Sequence, residues 1–98
     1  MIQRIVKMTF RPEEVDNFLS LFEEVKHKIR GCEGCAGLTL LADINQTNVL
    51  FTYSYWQTED NLNAYRDSEL FAITWRDTKS KFAAKAEAWS VQVQSETL

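Results

Sequence analysis

The 98-residue sequence predicts an α+β fold. Its elements run strand, helix, strand, strand, broken helix, strand, around one antiparallel four-stranded sheet. Hydrophobic residues alternate with period two in four short stretches and recur at steps of three and four in the longer stretches between them. The helical stretches follow the first and third strands, which is the split β-α-β arrangement of ferredoxin-like folds, with helices on one face of the sheet. The third strand is apolar on both sides, so the sheet's other face also needs cover. A second copy of so small a chain is the simplest cover, and a homodimer is predicted.

The first strand is Ile2 to Phe10, with Ile2, Val6, Met8 and Phe10 on one face and Gln3, Ile5, Lys7 and Thr9 on the other. A helix follows over Arg11 to Arg30. Pro12 suits its first turn, Glu13, Glu14 and Asp16 suit the positive end of its dipole, and Val15, Phe18, Phe22, Val25 and Ile29 form its apolar stripe. Lys26, Lys28 and Arg30 complement the negative end, and Gly31 is placed to stop the helix. Cys35 to Asp43 is the second strand, and the turn residues DINQTN return it as a hairpin into the third, Val49 to Trp56. There Val49, Phe51, Tyr53 and Tyr55 oppose Leu50, Thr52, Ser54 and Trp56.

Thr58 is a predicted N-cap, with Glu59 and Asp60 in the first turn and Leu62 and Tyr65 facing inward. Ser68 is placed to cap a second segment that carries Phe71, Thr74, Trp75, Thr78 and Phe82 at helical spacing. AEAWSVQV returns to period two as the fourth strand, with Trp89, Val91 and Val93. Between Val49 and Trp75 lie seven of the twelve aromatic residues, so this stretch is expected to wall any cavity between the helical hairpin (58–82) and the sheet.

The composition, 45% hydrophobic and 26% charged with three Gly and one Pro, fits a single globular domain over residues 1–98. A net charge of −3 with scattered basic residues argues against nucleic acid or an anionic membrane as partner. MIQRIVKMTF alternates where a secretory or membrane-spanning segment would be continuously apolar, so a cytoplasmic protein is expected. Cys32 and Cys35 form a C-x-x-C after a helix and before a strand, whereas redox pairs of that spacing open a helix. A zinc site needs two further ligands and His27 is the only histidine, so the segment is read as a turn into a strand. His27 itself, between two lysines in the last turn of its helix, is read as solvated. No metal or other cofactor is predicted.

Four stretches carry a resemblance to a known family: IVKMTFRPEE, the G-C-x-G-x-x-L run at Gly34 to Leu40, YSYWQTEDNLNAYRDSELF at Tyr53 to Phe71, and the terminal AWSV. Together they resemble the antibiotic biosynthesis monooxygenase family, dimeric α+β barrels of ferredoxin-like protomers. The resemblance implies that fold and a dimer. It also implies one of several activities, among them cofactor-free oxidation of phenolic substrates and haem degradation. The haem-degrading branch carries a Trp, then ten residues later an iron-ligating His, on the helix after the third strand. Here those positions are Tyr65 and Trp75, and Lys7, Met8 and Thr9 stand where an Asn near the end of the first strand is expected.

The favoured expectation is therefore a cofactor-independent monooxygenase for a small aromatic or quinol-like molecule. The alternatives are a non-catalytic binding or dimerisation module and, behind it, haem degradation. Tyr65 and Trp75 are the candidate catalytic residues. Tyr53, Tyr55, Trp56 and Phe71 are the candidate substrate-binding ones, through ring stacking and phenolic hydrogen bonds, and Arg66 or Arg76 would stabilise an anion if either faces inward.

Overall fold

In a computed structural model, which describes residues 1–98, the central strand β1 (Ile2–Thr9) lies between β3 (Val49–Trp56) and the edge strand β4 (Glu87–Val91), and β2 (Cys35–Ala42) flanks β3. All pairings are antiparallel and the order is β2-β3-β1-β4, the ferredoxin-like arrangement that the order of elements predicts. Helices α1 (Val15–Arg30), α2 (Glu59–Arg66) and α3 (Glu69–Lys79) complete the fold.

Local chemistry sets the element ends. Arg11 is extended (φ −61°, ψ 133°), the conformation forced on a residue before proline, and Pro12–Glu14 form a short 3₁₀ turn. The first helix therefore starts at Val15, later than the expected Arg11. Thr58 and Ser68 cap α2 and α3 as predicted, their hydroxyls accepting from the Asn61 and Phe71 amides at 3.0 and 3.1 Å. The fourth strand stops at Val91, short of Val93, because its partner Gln3 stands one residue from the start of β1. Gly34 takes φ +80°, a value that favours glycine, and a Cβ there would fall 2.2 Å from the Asn61 side chain.

The register sorts the sheet into two faces. Toward the helices stand Arg4, Val6 and Met8 of β1, then Thr52, Ser54 and Trp56 of β3, with Leu38 from β2 and Ala88 from β4. Two buried clusters form on that side. Met8, Phe10, Phe18, Phe22 and Leu50 make one, and Cys35, Trp56 and Leu62 make the other. The opposite face carries Ile5, Phe51, Tyr53 and Tyr55, with Trp89 and Leu41 left 44% and 47% exposed.

Candidate functional site

Between the two clusters is a cavity of about 320 Å³, at the lower end of the range for small-molecule pockets. Its floor is the helix-side face of the sheet. Its walls are α1, which contributes Phe18, Phe22 and Ile29, and the α2–α3 hairpin, which contributes Leu62, Tyr65, Arg66, Phe71, Thr74 and Trp75. Arg66 and Ala88, both exposed, mark the side where it meets solvent.

The aromatic wall is continuous. Trp56 stacks on Tyr65 with ring centroids 5.0 Å apart, Tyr65 meets Phe71 edge to face at 5.3 Å, and Phe71 stacks on Trp75 at 5.8 Å. Trp75 then meets Phe82, which reaches Phe10 and the first cluster. Helical spacing produces this run: Tyr65, in the last turn of α2, lies against Trp56, the last residue of β3, and Phe71 and Trp75 are four apart on α3. Trp56 is 1% exposed and its indole N–H donates to Ser54 Oγ at 2.9 Å, so this tryptophan offers a ligand its ring alone.

Four of the six predicted site aromatics, Trp56, Tyr65, Phe71 and Trp75, come together around the cavity. Tyr53 and Tyr55 do not. Placing all six around one cavity is corrected by strand alternation: residues 53 and 55 share a parity opposite to that of Ser54 and Trp56 and therefore emerge on the other face. There they pack edge to face at 5.0 Å, and a hydrogen bond with Tyr53 that favours the neutral phenol is the main cause that raises the pKa of Tyr55. Of the two arginines proposed for an anion, Arg66 lines the cavity, while Arg76 is exposed on α3 away from it.

Arg4 is a cavity residue that the sequence reading missed. It is half-buried at an inward position of β1, in register with Ser54 on one side and Ser90 on the other, and its Nη1 donates to Ser90 Oγ at 3.0 Å. Burial first, then the charge of Arg66, depresses its pKa. The signal was present in the chain, a cation breaking the inward row Ile2, Arg4, Val6, Met8. Tyr65 is the titratable lining group besides Arg4 and Arg66. Burial, then the Cys32 and Cys35 thiols, pushes its pKa far above the ordinary phenol range, so at neutral pH it is a hydrogen-bond donor and not a base.

Cys32, in the turn after α1, and Cys35, the first residue of β2, are free thiols and do not line the cavity. Cys35 is buried against Trp56 and Leu62, and burial raises the pKa of Cys32. His27 is exposed in the last turn of α1. No group of three or more His, Cys, Asp or Glu side chains is placed to hold a metal ion, and no helix is long and apolar enough to cross a membrane.

A four-stranded antiparallel sheet with helices on one face, and a ligand-sized cavity between the two layers, defines a ferredoxin-like α+β domain. A family model described as antibiotic biosynthesis monooxygenase matches residues 1–77, and the chain belongs to that family. Solved structures agree on the fold. An antibiotic biosynthesis monooxygenase superposes with a TM-score of 0.90 at 18% identity, covering 97% of this chain and 100% of its own. A conserved protein from Methanosarcina mazei Go1 gives 0.88 at 19%, with 93% and 90% covered. Rv0793 from Mycobacterium tuberculosis gives 0.88 at 13%, with 99% and 98% covered. At these identities the likeness is one of fold. Comparison with curated proteins gave no match.

Proposed function

We propose that this protein is a cofactor-independent monooxygenase that oxidises a small aromatic, quinol-like substrate in the cavity, and that it works as a cytoplasmic homodimer. The observation that carries this reading is the wall formed by Trp56, Tyr65, Phe71 and Trp75, an extended aromatic surface on a cavity of ligand size. Family membership supports the reaction class.

Such chemistry asks little of the protein. A phenol loses its proton, the electron-rich anion donates electrons to O₂ and captures it at a ring carbon, and loss of water from the hydroperoxide leaves a quinone. The balance is phenol plus O₂ to quinone plus water, with all four electrons from the substrate. No carboxylate or imidazole lines the cavity to take the phenolic proton, so the proton leaves to solvent through the open side. The positive charges of Arg4 and Arg66 favour the anion and lower the phenol's pKa. The Tyr65 hydroxyl donates to the developing oxyanion.

Haem does not fit these residues. The branch of the family that degrades it uses an axial histidine on the helix after the third strand, where this chain carries Trp75, and His27 is exposed on α1 outside the cavity.

The test is oxygen uptake with polycyclic phenols and quinols, without added flavin or metal. Tyr65→Phe should lower kcat/KM about ten-fold, the worth of one hydrogen bond to a charged oxygen. Trp75→Ala should lower it more, with circular dichroism unchanged. Phenols that bind without consuming oxygen would assign the cavity to a binding module instead.

A further inference from the structure

The geometry points to a substrate that is an aromatic carboxylate, with its ring on the Trp56–Tyr65–Phe71–Trp75 wall and its carboxylate held by Arg4 from the sheet and Arg66 from α2. This deepens the monooxygenase reading and rests on the same cavity and the same two arginines, but it adds a second ionised group that the oxidation itself does not require.

The argument is one of charge. The sequence holds 14 Asp and Glu, yet none lines the cavity, whose only charged residues are Arg4 and Arg66. The chain's ion pairs, Arg11–Glu14 and Lys26–Glu23, lie elsewhere. Arg4 is half-buried on β1, a strand paired on both edges, and its neighbours in register on both sides are serines. A guanidinium drawn partly out of water costs free energy unless an opposite charge meets it, and a second guanidinium nearby raises that cost. The depressed pKa of Arg4, from burial and then from Arg66, has the same origin.

A carboxylate answers this arrangement better than a phenolate does. It is ionised throughout the neutral range, as both arginines are, whereas an ordinary phenol is not. Its two oxygens accept from two guanidinium groups at once, the pairing in which charge-assisted hydrogen bonds are strongest. Arg66, exposed at the opening, can meet the anion as it arrives, and Arg4 receives it inside.

Matched naphthalene probes, 2-naphthoate, 2-naphthamide and 2-naphthol, test the assignment by calorimetric titration at pH 7. Naphthoate should bind the wild-type protein about ten-fold or more tighter than the isosteric amide, and the preference should shrink as salt rises. Arg4→Met should abolish the preference by weakening naphthoate far more than the amide, and Arg66→Met should reduce it. Equal affinity for acid and amide, a preference that survives Arg4→Met, or no binding of either probe would overturn the proposal. If Arg4→Met fails to fold, the wild-type comparison and its salt dependence still decide. A carboxylate preference in a protein that consumes no oxygen with any phenol sinks the oxygenase reading and keeps the anion site. Rapid oxygen uptake with neutral phenols, in a protein that binds naphthoate no tighter than naphthamide, does the reverse.

Discussion

Tyr65 stacks on Trp56 and touches Phe71 with its edge, and its burial, then the nearby Cys32 and Cys35, oppose its ionisation. Its phenol therefore stays protonated well above the pH at which a solvated tyrosine ionises, and the hydrogen bond it offers persists through the working range. With no lining group that titrates near neutrality, the pH dependence of the proposed oxidation would belong to the substrate. The rate should rise with pH along the ionisation of the bound phenol, whose pKa the arginine charges lower, with no falling limb before alkaline pH. Two substrates of different phenol acidity, assayed from pH 6 to 9, should give profiles displaced by the difference in their pKa values; superimposable profiles would mean that a protein group takes the proton. Individual residues were the least legible level of the sequence. Period two places Arg4 on the inward face, but a pattern sought through apolar residues passes over the one cation in the row. The same rule separates Tyr53 and Tyr55 from Trp56, and richness in aromatics obscured it.

The elements were legible because their signals are short-range. Turn residues, hydroxyl caps and alternating faces act within a few residues, and strand β3 and both caps of the hairpin fall where those rules put them. What lies between elements was not legible, since it depends on approach in space. Gly34 is the clearest instance. Its carbonyl accepts from Gln57 N at 2.8 Å, and its missing Cβ leaves room for Asn61, whose side-chain oxygen accepts from Thr58 Oγ1 at 2.8 Å. The turn before β2 is thereby locked to the start of α2, the helix that carries Tyr65 and Arg66. Gly34→Ala combines an unfavourable φ with a clash against Asn61 and should cost on the order of 2 kcal/mol or more in denaturant melts. Thr58→Ala removes the cap and the hydrogen bond to the Asn61 side chain but adds no clash, and should cost about 1 kcal/mol. If Gly34→Ala proved as mild as Thr58→Ala, the lock would not be what holds α2 to the sheet.

At the scale of the whole molecule, the sheet has a helix-covered face and an open one, and the open one is not a polar surface. Ile5 of β1 stands in register with Tyr53 of β3 and Trp89 of β4, and Phe51, Tyr55 and Leu41 extend the patch to either side. Large aromatic side chains left on one contiguous face signal an interface, and dimers are common in this family. A second copy laid sheet to sheet would bury the patch under an isologous contact, with each Tyr53–Tyr55 pair packing against the partner's sheet. It would also leave both cavities intact, because they lie on the opposite side of each sheet. Light scattering at micromolar concentration should therefore give twice the chain mass of 11.4 kDa. Tyr53→Glu, which sets a charge at the centre of the patch, should give a monomer with a lower melting temperature, and the melting temperature of the wild type should rise with protein concentration. Ligand binding in the cavity should survive that change at reduced stability, since no residue of the open face lines it. A wild-type monomer would show that the open face is not an interface between copies, and loss of binding on dissociation would show that the partner contributes to the site.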